Sequence, residues 1–147
     1  VGEESKGRPL RDFIPQLLAF REECLHPRKK NSKKAPSKDS DRYLDVPVDI
    51  PFLFHCGETL EMGDETPDGN LYDALLLGAK RIGHGYALAR HPYVMEQMKR
   101  ANVCIELCPI SNEILGLTPR VNGHAMYNLL ANNVHCTVNT DNGTLFK

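Results

Sequence analysis

The sequence carries almost no net charge: 18 Lys and Arg against 19 Asp and Glu leave a formal net charge of −1, which offers no electrostatic attraction to nucleic acid or to a membrane surface. It also lacks any apolar run approaching the ~18–20 residues that span a bilayer. The first residues, Val1-Gly-Glu-Glu-Ser-Lys6, have neither the basic nor the apolar region of a signal peptide. Because residue 1 is Val rather than Met, a targeting segment further upstream stays open. No Cys-x₂-Cys pair occurs, and an odd count of five cysteines cannot be fully paired within one chain. Cys104 and Cys108 on one strand would sit about 13 Å apart, beyond the reach of a disulfide. All five read as buried small apolar residues or idle thiols. These absences leave a small molecule as the expected partner.

What is present is ordinary for a soluble domain, with 41% hydrophobic and 25% charged residues. From Ile50 onward, short apolar runs alternate with helical stretches, the pattern of βα units and a parallel sheet. The runs are Ile50 to His55, Ala79 to His84, Val103 to Cys108 and Val134 to Thr140. Their near-continuous apolar character predicts strands covered on both faces. Helices are expected over Leu71 to Leu77, His91 to Ala101 with Pro92 in its first turn, and Ala125 to Ala131. Upstream, Leu10 to Leu25 shows an apolar stripe (Phe13, Leu17, Leu18, Phe20, Cys24, Leu25) with Pro15 in its opening turns. Residues 27–45 are Lys-rich and nearly free of apolar side chains, which predicts a solvated, mobile insertion. Four parallel strands leave two apolar edges, which invite further strands. The expected fold class is therefore α/β, a partial (β/α) barrel of parallel strands with covering helices, which is not expected to fold alone.

Polar residues appear abruptly where the apolar runs end, and in barrel enzymes the loops at those ends build the active site. The first end is His55-Cys-Gly-Glu58, an imidazole followed three residues later by a carboxylate. The second is His84, whose flanking Gly83 and Gly85 would permit close approach of a ligand backbone. The others are Cys108-Pro-Ile-Ser-Asn112 and Asn139-Thr-Asp-Asn142. A barrel would bring His55, Glu58, His84 and Asp141 to one rim, with donors of the kind a catalytic zinc takes. Glu106, inside an apolar strand, needs a partner, and Arg81 is the candidate. Ser111 and Asn112 are expected to shape a loop. His91, His124 and His135 read as helix-end or surface residues without chemistry.

The ordered series His-Cys-Gly-Glu-Thr at 55–59, Arg-Ile-Gly-His-Gly at 81–85, Glu-Leu-Cys-Pro-Ile-Ser-Asn at 106–112 and Asn-Thr-Asp at 139–141 resembles the motif series of the adenosine deaminase family. The run around Gly78 to Leu88 and His91-Pro92 is most similar to the branch of adenosine deaminase-related growth factors. The resemblance implies the C-terminal half of a metal-dependent hydrolase barrel over residues 1–147, its strands the fifth to eighth of a (β/α)8 barrel, and a purine nucleoside as substrate. It implies a zinc ion bound by His55 and Asp141, with Asp141 also placed to accept a hydrogen bond from the attacking hydroxide. Glu58 would protonate N1 of the purine, a task for a carboxyl group in a shielded site. His84 would orient the hydroxide. Gly2 matches a glycine whose N–H meets purine N3. Asn142 stands where the family commonly has a second Asp that bonds purine N7, a bond that an amide can also donate. Asn142-Gly-Thr144 also matches a glycosylation sequon, but a glycan beside a metal ligand would block the site.

A catalytic zinc normally takes three protein ligands, and the family draws two more from a His-x-His that occurs nowhere in this sequence. Three readings follow: part of an adenosine-deaminating enzyme, with a His-x-His expected upstream of Val1; a nonenzymatic binding or signalling remnant; or a zinc amidohydrolase with another substrate. By resemblance the location is extracellular if the chain follows the growth factor branch and cytoplasmic otherwise. Oligomeric state is not legible.

Overall fold

A computed structural model describes residues 7–27, 46–63 and 68–143. Gly2, and the Lys-rich stretch beyond Pro27 as far as residue 45, lie outside the described residues.

A 3₁₀ turn at Leu10–Phe13 leads into helix α1 (Ile14–Leu25). The chain then alternates as β1 (Leu53–Cys56), α2 (Asn70–Leu76), β2 (Arg81–His84), α3 (Pro92–Arg100), β3 (Cys104–Leu107), α4 (Pro109–Ile114), α5 (Met126–Ala131) and β4 (Cys136–Val138). The helices begin and end where their sequences direct. Prolines occupy the first turn of α1, α3 and α4, where a missing N–H costs no hydrogen bond. Lys99 and Arg100 fill the last turn of α3, opposite in sign to its dipole.

The four strands form one parallel sheet in chain order, β1-β2-β3-β4. Parallel neighbours need crossovers, and α2, α3 and α5 lie in the three connections. Register aligns His55 with Gly83, Gly83 with Glu106 and Glu106 with Thr137. Because successive side chains alternate, Phe54, Ile82, Ile105 and Leu107 point to one face. There they meet Leu71, Ala74 and Leu77 around α2, Val94, Met95 and Met98 of α3, and Leu129 of α5 in a single core. Each large side chain fully buried here contributes roughly 1.5–3 kcal/mol of transfer free energy.

Among the described residues the opposite face is not covered: Leu53 is 53% exposed, and His55 is exposed beside half-buried Arg81, Cys104 and Glu106. The strands are therefore covered on one face, not both. Parallel strands in chain order with helices on one side are a segment of a (β/α) barrel, and the open face is the one that lines the barrel interior. Arg81 Nε donates to Glu106 Oε1 at 2.7 Å across this face, the pairing expected for that carboxylate.

Helix α1 departs from its expected stripe. It has no fully buried residue, with Leu18 at 47% and Phe20 at 48% exposure. Its anchors are Ile14 and Leu17 against the core and Arg21, whose guanidinium lies over Phe52 and donates to Leu77 O at 2.7 Å. The upstream 3₁₀ turn is fixed differently: Leu10 N–H donates to the buried Asn70 Oδ1 at 2.8 Å.

Gly85 joins two of the strand ends. Its N–H donates to Cys56 O at 2.9 Å, its φ is +59°, and a Cβ there would lie 2.7 Å from Ile105 Cγ2. Gly85→Ala is expected to lower stability by about 1–3 kcal/mol through left-handed backbone strain and core overlap, read as an earlier midpoint of urea unfolding.

Candidate active site

The C-terminal ends of the strands converge on one rim. His55 is the last inward-facing residue of β1, and its ring lies over Gly83, where Cδ2 would be 3.4 Å from a Cβ. The glycines beside His84 also serve packing, Gly83 for the His55 ring and Gly85 for Ile105.

His84 ends β2 with φ +68°, a left-handed conformation that few non-glycine residues adopt. Asp141 stands at φ +66° after β4. Among the described residues the other two of this kind, Asn102 and Asn133, sit in turns before strands, where an asparagine tolerates the conformation. The unusual backbone thus falls on two candidate site residues, as strain at functional positions does.

The twist at His84 turns its ring to two partners. Nε2 lies 3.1 Å from His55 Nδ1, and Nδ1 lies 2.9 Å from Glu58 Oε1. The second contact is close enough for a charge pair, although the carboxylate oxygen is off the N–H axis and Nδ1 has no well-directed hydrogen bond; the distance and the burial of both groups decide that it is an ion pair when His84 is charged. Burial works against that charge, but hydrogen bonds and charges from Cys108 and Glu58 outweigh it and raise the His84 pKa to about 10.

Glu58 Oε1 receives further bonds, from Asn112 Nδ2 at 2.8 Å and, at the limit of contact, Ser111 Oγ at 3.5 Å. Both donors are buried on α4, which the sequence reading left as a loop. Pro109 at the first turn and Gly116 at φ +74° just beyond the end were the signals for it. His124 is not a surface residue either. It is 2% exposed, its Nε2 lies 2.8 Å from Asn112 Oδ1, and its Nδ1 accepts Met126 N–H at 2.9 Å. Only its position at a helix start was legible. His91 likewise does more than end a helix: Nε2 lies 2.9 Å from buried Asp68 and Nδ1 3.0 Å from Tyr72 OH. Asp68 also holds Arg90 at 2.9 Å, whose guanidinium donates to the carbonyls of Thr59, Leu60 and Glu61 at 3.2, 3.2 and 3.0 Å. That clamp fixes the segment directly after Glu58. His135 is exposed, as expected.

A cleft of about 280 Å³ opens at the rim, lined by His55, Gly83, His84, Glu106, Cys108, Asn139, Thr140 and Asp141. Glu58 lies behind His84, and Asn142 is exposed next to Asp141. With Nδ1 of His55 facing His84, Nε2 is the nitrogen that would ligate a metal. His55 and Asp141 suit zinc in donor type. They do not suffice in number: among the described residues no group of three His, Cys, Asp or Glu is placed to hold a metal ion. All five cysteines are thiols without disulfides, Cys56 and Cys108 buried and the rest half-buried.

His84 generates a pH-dependent prediction. Its pKa is raised on folding, so its stabilising contribution is fully present below the unfolded imidazole value of about 6.5. The contribution then shrinks as pH rises and is lost through a pKa of about 10. In metal-free protein, the stability difference between the parent and His84→Asn should follow this course in urea unfolding measured across pH; a difference that grows toward alkaline pH would contradict it.

Comparison with known proteins places this geometry. Residues 49–147 match the family model described as adenosine deaminase. Adenosine deaminase from Aedes albopictus is 38% identical over 141 residues, 96% of this chain and 21% of that protein. Human adenosine deaminase 2 is 33% identical over 146 residues, 99% of this chain and 24% of that protein. The crystal structure of an adenine deaminase from Arthrobacter aurescens superposes with a TM-score of 0.57 and 26% identity, over 66% of this chain and 28% of that one. The chain thus spans about a fifth to a quarter of the length of the curated relatives it matches. No helix among the described residues is long and apolar enough to cross a membrane. With the motif order, the parallel strand ends and these likenesses in agreement, the chain belongs to the adenosine deaminase family.

Proposed function

We propose that this chain forms the proton-handling part, and one side of the metal site, of an enzyme that hydrolytically deaminates adenosine or deoxyadenosine. The observation that carries the reading is the contact series His55, His84, Glu58 at the rim of a cleft that Asp141 also lines. Hydrolytic loss of an amino group from a purine needs a water made nucleophilic and a proton delivered to the ring. Zinc, when bound by His55, Asp141 and further donors, supplies hydroxide near neutral pH. Glu58, only 10% exposed, is the group to protonate N1 as water adds to C6. His84 stands between Glu58 and the ligand side of the cleft, where it orients the attacking oxygen. Asp141 accepts a hydrogen bond from that oxygen, and Asn142 next to it can donate an amide hydrogen to N7. Gly2 is proposed for N3.

A nonenzymatic remnant is the second reading, since among the described residues no group of three His, Cys, Asp or Glu is placed to hold a metal ion. The readings separate in protein expressed from the complete coding sequence, assayed for bound zinc, for loss of adenosine absorbance and for ammonia release. The enzyme reading expects stoichiometric zinc, activity removed by a chelator and restored by zinc, and loss of metal in His55→Ala. Glu58→Gln should keep the metal and lower kcat by about 10²–10⁴-fold, the range for a general acid. Protein with neither zinc nor turnover on adenosine or deoxyadenosine would leave the remnant reading standing, and turnover confined to a non-purine amine would point to another amidohydrolase.

A further inference from the structure

From the hydrogen bonds behind Glu58 we infer that Asn112 and His124 are positioning residues for Glu58, forming a chain that commits Oε1 as an acceptor and places any proton of the carboxyl group on Oε2. The inference rests on the proposed role of Glu58 and extends it to residues outside the cleft.

The direction of the chain is fixed at its far end. Met126 N–H, a backbone group that can only donate, lies 2.9 Å from His124 Nδ1. Nδ1 is therefore the unprotonated nitrogen. Burial lowers the His124 pKa and keeps the ring neutral, so the single ring proton is on Nε2. Nε2–H must then donate to Asn112, and the atom it faces at 2.8 Å must be the amide oxygen. That leaves the amide Nδ2 as the group 2.8 Å from Glu58 Oε1, and an NH₂ can only donate. Asn112 is 0% exposed and His124 2%, so water cannot substitute for either partner. A reversed amide would set two donors against each other at His124 and two acceptors at ionised Glu58, each a buried mismatch of about 1–3 kcal/mol. Ser111 Oγ and His84 Nδ1 approach the same Oε1. A proton on that oxygen would face the Asn112 Nδ2 group, which can only donate.

Two measurements test this. The first needs no substrate: imidazole ¹⁵N NMR of metal-free protein expressed from the complete coding sequence should show His124 as the Nε2–H tautomer near neutral pH, and a protonated Nδ1 would overturn the inference. The second uses complete enzyme. His124→Gln keeps an oxygen for Met126 N–H and an N–H for Asn112, whereas His124→Phe keeps the bulk and loses both. Asn112→Asp turns the donor at Oε1 into an acceptor. His124→Phe and Asn112→Asp should each lower kcat by about 10–100-fold, part of the worth of a general acid, with KM changed by less than about threefold. His124→Gln should recover most of the loss. Parental kcat in folded His124→Phe, or equal loss in the folded Gln and Phe variants, would overturn the positioning role. Where His124→Phe fails to fold, Asn112→Asp decides the kinetic arm. A parent that turns over no purine sinks the proposed reaction, and the ¹⁵N spectrum then still decides the hydrogen-bond chain.

Discussion

The site depends on parallel register. With β1 to β4 side by side in chain order, every strand delivers its last residue to the same edge, and the alternation of side chains decides which residues reach the cleft. His55, Gly83, Glu106 and Thr137 share one row. A slip of one residue would send His55 into the core beneath the helices and bring Phe54 to the rim. The register is held by Ile82, Ile105 and Leu107, which share one core cluster with side chains of α2 and α3. Core and site are thus coupled through the sheet: the apolar face sets the alignment that the polar face uses.

Above that edge, precision comes from strained backbone held by its surroundings. His84 adopts φ +68°, which costs of order 1–3 kcal/mol for a non-glycine residue, yet this conformation lets one ring contact both His55 and Glu58. The strain persists because neighbouring turns are tied together: Gly85 N–H to Cys56 O, and Ala87 N–H to Gly57 O, each at 2.9 Å. Arg90 adds a second restraint through the three carbonyls after Glu58, and Asp68 holds Arg90 in place. Burial alone would raise the Asp68 pKa, but His91 and Arg90 lower it below the ordinary value, so the clamp keeps its negative centre.

Much of this was legible because it is periodic or local. The strand positions, α2, α3 and α5, and the clustering of His55, Glu58 and His84 follow from apolar runs and from polar residues at their ends. What escaped the reading depends on contacts distant in sequence. Nothing near His124 shows that it lies against Asn112, twelve residues away, or that Asn112 reaches Glu58 across 54 residues. The packing role of the glycines beside His84 escaped for a related reason. Their role is set by Ile105 and His55, on neighbouring strands, rather than by the adjacent sequence. The stripe of α1 promised burial that the described residues do not provide, since amphipathicity says which side is apolar and not what covers it.

The two halves of the proposed chemistry are unequally represented. On the metal side, His55 and Asp141 line one cleft, and among the described residues no group of three His, Cys, Asp or Glu is placed to hold a metal ion, whereas a catalytic zinc normally takes three protein ligands. Around the proposed acid, Glu58 meets His84, Ser111 and Asn112, and behind Asn112 stands His124, all among the described residues. Those contacts are buried and directional, and the orientation of the last link is imposed by a backbone N–H. The geometry of the acid is therefore a local property of this chain, whereas the capacity to bind a cation needs donors beyond the described pair. A family member can lose metal binding while retaining a correctly oriented carboxyl group.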